Sequence, residues 1–141
     1  LIVYVWVAAT LWLPCIGEKE RSLSVLFAET VQRSLFYFAI TLPFDIRDEE
    51  IDRNANLKTL AATFGLYYTK LTACCCLYIA SFIAYLSFTG MQFLAITISH
   101  LLCFFLVIGV HKNRKLVYYT GWMDGTIIFQ AILLFFAKAI S

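Results

Sequence analysis

Charge is scarce in this sequence. Asp, Glu, Lys and Arg make up 14% of its 141 residues, whereas a water-facing surface needs about 25–35%. That shortage excludes a soluble globule, and with it a soluble Rossmann-type enzyme. A 62% share of hydrophobic residues equally excludes a disordered chain. Disulfide-scaffold spacing is also missing: the five cysteines include no CxxC pair, and three of them, Cys74, Cys75 and Cys76, are consecutive. The net charge of +2 is too small to suggest a nucleic-acid partner. An initiator methionine is lacking as well; the chain opens on Leu1 within an apolar run, and the expectation is that it forms part of a longer protein.

What is present is a succession of long apolar stretches, with a mean hydropathy of +0.81. The polar breaks define five of them, at residues 1–16, 23–43, 66–88, 91–110 and about 121–140. Roughly 20 helical residues cross the hydrocarbon core of a bilayer. The second, third and fourth segments meet that length, the first falls short at the start of the chain, and Asp124 interrupts the first turn of the fifth. No period-2 alternation marks these stretches, and lipid demands that backbone groups be satisfied within each segment, so helices are expected. The expected fold is an all-α, polytopic transmembrane helix bundle of about five spans, with residues 1–141 belonging to a single membrane-embedded domain.

The charges that do occur are bunched. Residues 45–58 carry 8 of the 20, while residues 59–110 carry only Lys70. Two spans separate the 45–58 stretch from the His111–Lys115 stretch (HKNRK), so both lie on one side. Together they hold Arg47, Arg53, Lys58, Lys112, Arg114 and Lys115, against Lys19, Arg21 and Lys138 on the other side. The positive-inside rule then places the acidic loop in the cytoplasm of a multi-pass integral membrane protein.

Within that loop, Asp45, Asp48 and Asp52 are spaced by three and four, so on a helix they share a face. Like charges so stacked repel, and a hard divalent cation reverses the sign. Mg²⁺ commonly takes one or two protein carboxylates together with substrate phosphates and water. Such a face therefore suits a diphosphate bound through Mg²⁺, with Arg47, Arg53 and Lys58 as cations near the phosphate oxygens. Glu49 points elsewhere and is expected to matter far less. A plainer reading stays open: Asp45 as an N-cap followed by first-turn acids, all within a solvated loop. It gives no reason for Asp52 on the same face. Arg53 and Lys58 serve equally well as membrane-side anchors.

The stretch from Asp45 through Arg47, Asp48, Asp52 and Arg53, on to Lys58-Thr59-Leu60 and then Gly65, resembles the second aspartate-rich motif of the UbiA superfamily of membrane prenyltransferases. The close match covers about 21 residues. The resemblance implies the C-terminal part of a nine-helix bundle whose two aspartate-rich loops hold Mg²⁺ and a prenyl diphosphate. It implies Asp48, Asp52 and Asp45 as catalytic, metal-binding carboxylates, and Arg47, Arg53 and Lys58 as diphosphate contacts. The implied reaction is transfer of the prenyl group to an acceptor, often aromatic. Two departures stand out. The family's first motif, Asn-Asp-x-x-Asp-x-x-x-Asp, is absent from these residues, so this chain alone is expected to be inactive, and Asn56 occupies the position of a customary glycine. The alternatives are a non-catalytic or degenerate membrane homologue and another Mg²⁺-dependent lipid enzyme, such as a CDP-alcohol phosphotransferase. The latter ranks lower, because the only Asp-Gly pair is Asp124-Gly125, without the Ala-Arg that follows in that family.

The remaining polar residues carry plainer expectations. The three consecutive cysteines point in different directions on a helix and cannot converge on one metal. His100 reads as a hydrogen-bonded core histidine, Glu29 and Arg33 as an internal i, i+4 pair, and Asp124 as a helix cap or a residue facing the chamber. Gly121 and Gly125 read as a close-packing pair.

Overall fold

The computed structural model describes residues 2–12 and 22–140. Helix α1 (Ile2–Val7) runs into a π-helical turn, Ala8–Trp12. There follow α2 (Leu23–Asn54), α3 (Leu60–Ser87), α4 (Gly90–Ile108), a second π-helical turn (Tyr118–Met123) and α5 (Asp124–Ile140). Among the described residues there is no strand. The all-α bundle is therefore as expected. The rest of the first expected span, Cys15 included, lies outside the described residues.

Among the described residues, three helices are long and apolar enough to cross a membrane: Leu60–Ser87, Gly90–Ile108 and Tyr118–Ala139. No more than 33% of any of their 18-residue windows is buried within the bundle, so most of their apolar surface must find cover elsewhere. Tyr78, Phe82, Phe105 and Phe135 are all more than half exposed. In water such a surface would aggregate; against lipid chains it is at home.

Helix α2 differs from the expectation in length. It is 32 residues long, about 48 Å at 1.5 Å per residue, and includes the whole acidic run through Arg53. The expected loop at 45–58 is thus mostly helix, and only residues 55–59 form the turn. Pro43 sits inside α2 and removes one backbone donor, yet the helix continues through it. Glu29, Gln32 and Arg33 interrupt the apolarity of the segment expected to span, and α2 is not among the three candidates.

The end of α2 is a Schellman motif. Leu57 N–H donates to Asp52 O at 2.8 Å and Asn56 N–H to Arg53 O at 3.2 Å. Asn56 takes the left-handed position with φ 54°, which a glycine occupies freely and an asparagine tolerates. The departure from the family pattern at Asn56 therefore keeps the geometry that a glycine there would serve. Thr59 then caps α3, its hydroxyl accepting from Ala62 N–H at 3.3 Å. Gly65 breaks α3 locally with φ 79° and ψ 176°, and the apolar stretch expected from residue 66 begins just past this kink.

The core lies between α2, α3 and α4. Phe36, Ala39, Ile40 and Leu42 meet Ala73, Leu77, Cys103 and Val107 in one buried cluster. Ala73, Ala80 and Ala84 on α3 are fully buried; such small side chains let helix backbones approach closely, and α3 packs most extensively on α2. His100 ties three helices together. Its Nε2 lies 3.0 Å from Gln32 Nε2, its Nδ1 lies 2.8 Å from Ser81 Oγ, and its ring sits 4.9 Å from that of Phe36. Ser81 spends its proton on Leu77 O, so Nδ1–H donates to Ser81 and Nε2 accepts from the Gln32 amide. His100 is thus the core histidine expected. Lys70, the lone charge of its region, donates to Ile108 O at 2.8 Å, satisfying a carbonyl at the C-terminal end of α4.

Candidate functional site

The acidic end of α2 presents two faces with different tasks. Ile46 is 1% exposed, and Glu49 on the same side is 4% exposed. Arg53 Nη2 donates to Glu49 Oε1 at 2.8 Å, and Lys112 Nζ approaches Oε2 at 2.8 Å. Oε2 has no aligned hydrogen bond, so its contact with Lys112 is ionic. This face locks α2 to the turn after α4, and Ile46 packs there with Ala61, Val110 and Tyr119. The 45–58 and HKNRK stretches therefore meet at one end of the bundle, as two crossings require.

The other face carries the aspartates. Burial pushes the Asp45 carboxyl above its ordinary range, and the charges of Asp52 and Asp48 push it further. Asp45 therefore senses both of the other carboxylates. Asp45 lies mid-helix, some twenty residues from the start of α2, so it is not an N-cap. Asp48 is held by Arg47 in a two-pronged pair, Nε to Oδ1 and Nη2 to Oδ2, each at 2.7 Å. That pair lowers the Asp48 pKa and raises that of Arg47. The Arg47 guanidinium is steadied over Phe44 and Tyr119, 5.3 and 5.6 Å from their ring centres.

Arg53 is engaged with Glu49, on the flank of the aspartate face, and Lys58 is exposed in the turn. Among the described residues, no three His, Cys, Asp or Glu side chains converge to hold a metal. Carboxylates at i, i+3 and i+7 project side by side, and Arg47 takes both oxygens of Asp48. An Mg²⁺ that takes one carboxylate and completes its shell with phosphate and water does not need a closed set; Asp45 and Asp52, two turns apart, could each offer one.

Asp45 also opens onto a cavity of about 580 Å³ between α1, α2 and α5. Trp6, Tyr37 and Phe44 supply aromatic walls, and Ile40, Ile127 and Ile128 aliphatic ones. Asp124 lines the same cavity. It caps the π turn, with φ −66° and ψ −32°, and supplies the acid in the first turn of α5, so it serves a helix end and lines the chamber that Asp45 lines. The π turn just before it is a local widening of the kind that often marks functional positions.

The expectation for the glycine pair comes out differently. A Cβ built on Gly125 meets open space, and one on Gly121 meets only Val117 of its own helix, so this pair does not seat a neighbouring helix among the described residues. The glycine under close approach is Gly109, where a Cβ would lie 2.8 Å from the Tyr118 hydroxyl. Arg33 donates to Thr10 O at 2.7 Å, drawing α1 onto α2, and Glu29 is buried. Cys74, Cys75 and Cys76 are partly buried, exposed and buried in turn, pointing apart as expected.

Sequence reasoning missed the Glu49–Lys112 lock. Its signal was there: Ile46, Glu49 and Arg53 repeat at helical spacing in a stripe beside the aspartates, and the HKNRK stretch supplies a cation on the same side. No family model, curated protein or solved structure matches the chain.

Proposed function

We propose that the chain is the C-terminal part of a UbiA-like membrane prenyltransferase domain, which transfers a prenyl group from an isoprenoid diphosphate to an acceptor with the help of Mg²⁺. The observation that carries the reading is the junction of two environments at Asp45. On one side lies a face of three carboxylates; on the other lies an apolar, aromatic-walled cavity. A diphosphate needs the first and an allylic cation needs the second.

In this reading Asp45, Asp48 and Asp52 would supply carboxylates to Mg²⁺, with Arg47, now paired with Asp48, as the cation that would turn to the phosphate oxygens. Mg²⁺ supplies charge stabilisation for the departing diphosphate. Lys58, exposed in the adjoining turn, is a further phosphate contact, whereas Arg53 acts mainly through Glu49. Phe44, Tyr37 and Trp6 exclude water from the prenyl carbon and present ring faces to a cation. The acidic end lies in the cytoplasm, where a diphosphate reaches it without crossing the hydrocarbon.

The test is turnover of the full-length protein in membranes, supplied with a prenyl diphosphate and candidate acceptors. Release of diphosphate that requires Mg²⁺ and stops with chelator supports the reading, and its absence with every acceptor class overturns it. The competing reading, a non-catalytic homologue, draws on the Arg47–Asp48 pair, which occupies a carboxylate the enzyme needs. It gains if the full-length protein lacks the first aspartate-rich motif.

A further inference from the structure

From Arg53 to Met123 the chain carries six Lys and Arg residues and no Asp or Glu. Two of those cations meet at the C-terminal end of α4. Lys70 Nζ reaches across from α3 to donate to Ile108 O at 2.8 Å, and Arg114 Nε turns back to Gly109 O at 3.2 Å. They therefore sit on consecutive carbonyls. Tyr118 steadies the Arg114 guanidinium, 5.2 Å from its ring centre. Capping occupies one N–H of each and leaves the other donors without a partner among the described residues. The ion pairs among the described residues join Asp48 and Glu49 to Arg47, Arg53 and Lys112, so neither Lys70 nor Arg114 has a carboxylate there. The C-terminal dipole of α4 offsets only about half a charge.

Exposed Tyr67, Tyr68 and Trp122 mark this end of the bundle as headgroup level. From it a groove runs along the lipid side of α3 and α4. Cys74, one helical turn beyond Lys70, shares with Leu77, Tyr78, Leu101 and Phe104 the wall of a hollow of about 240 Å³. Tyr78 and Leu101 are more than half exposed, so the hollow opens toward the hydrocarbon.

We infer that this groove binds an anionic phospholipid, its phosphate between Lys70 and Arg114 and an acyl chain along Leu77, Tyr78, Leu101 and Phe104. The phosphate oxygens accept from the N–H groups that capping leaves over, as anionic headgroups do in basic pockets between spans. A zwitterionic lipid brings an ammonium of its own beside two uncompensated cations and is disfavoured. A free phosphate leaves the apolar groove unfilled. None of this rests on the prenyl-transfer reading, whose carboxylates belong to α2.

The experiment is native mass spectrometry of the full-length protein released from nanodiscs of equal phosphatidylglycerol and phosphatidylcholine. Retained phosphatidylglycerol is expected to exceed phosphatidylcholine by roughly twentyfold, about fivefold for each of the two cations. Lys70→Gln and Arg114→Gln should each weaken that preference by about fivefold. Leu101→Trp, which fills the groove and keeps both cations, should release the lipid, whereas excess inorganic phosphate should not displace it. Equal retention of the two lipids by the unaltered protein overturns the inference, and that result depends on no variant that folds. A preference that survives in a folded Lys70→Gln, Arg114→Gln double variant overturns it too. Displacement by inorganic phosphate would assign the two cations to a soluble anion, and undiminished retention in Leu101→Trp would take the acyl chain out of the groove; either result contradicts a bound phospholipid.

Discussion

Glu49 is the neighbour of Asp48, yet a helix turns about 100° per residue, and the two side chains meet different surroundings. Asp48 faces outward with Arg47, while Glu49 is buried beneath Lys112 with Arg53 on its other oxygen. The expectation that Glu49 points away from the aspartates does not follow from spacing, since it lies at i+4 from Asp45 and i−3 from Asp52 and so borders their face. The structure adds that a change there costs stability. Glu49→Gln should lower unfolding free energy by about 1.5–3 kcal/mol, the range for hydrogen bonds to charged groups, read as a lower melting temperature in detergent. Lys112→Ala should remove much of the same energy, so the double variant should lose less than the sum of the two. Strict additivity would dissolve the lock.

Acidity separates Asp45 from Asp48 in the same way. Asp45 has a raised folded pKa, so it favours the folded state below the ordinary carboxylate range and loses that contribution as pH rises through its folded value. Asp48 has a lowered pKa, so its contribution is present above the ordinary range and is lost as pH falls through its folded value. Asp45→Asn should therefore raise the melting temperature at a pH well above its folded pKa and lose that advantage in acid. A melting curve unchanged by the substitution at every pH would show that Asp45 is not under strain from burial and its two neighbours.

Among the elements, the turn between α2 and α3 shows what a sequence discloses and what it hides. The aspartate face was legible because three- and four-residue spacing has one consequence on a helix. That the helix runs on to Asn54 was hidden: charge density reads as loop, while the Schellman stop depends on the φ of a single residue. Gly65 was visible as part of a motif, but its φ of 79° was not. The physical test is substitution at the two left-handed positions. Asn56→Gly should be close to neutral, whereas Asn56→Val should cost about 1–2 kcal/mol, the price of a left-handed L-residue. Gly65→Ala should cost about 1–3 kcal/mol for an extended, positive-φ backbone that glycine alone adopts freely, although a Cβ there has open space. If Gly65→Ala melts like the parent, the kink is not part of the folded protein. Asp124 reads in the sequence as a cap or a chamber residue, because a residue near a span start serves either, and in the structure it holds both places.

For the molecule as a whole, the bundle follows from hydropathy, and the juxtaposition of its ends follows from counting crossings. The Lys112–Glu49 contact joins the acidic end of α2 to the turn beyond α4. In a membrane, cysteines placed at Asn56 and Asn113, after replacement of the native ones, should label with an impermeant thiol reagent from the same side. Under the cytoplasmic assignment that side is exposed in inside-out vesicles. Labelling from opposite sides would mean that α3 and α4 do not both cross.

The prenyl-transfer reading stands or falls on the aspartate face. The decisive measurement is prenyl transfer by the full-length protein carrying Asp52→Asn, set beside Glu50→Gln, an exposed acid of the same helix that is a cleaner control than the structural Glu49. At matched expression and folding, Asp52→Asn should reduce transfer by at least about a hundredfold, the scale of losing an electrostatic contact in the transition state, and Glu50→Gln should leave it nearly unchanged. Equal rates in the two variants would contradict the assignment of Mg²⁺ and diphosphate to this face.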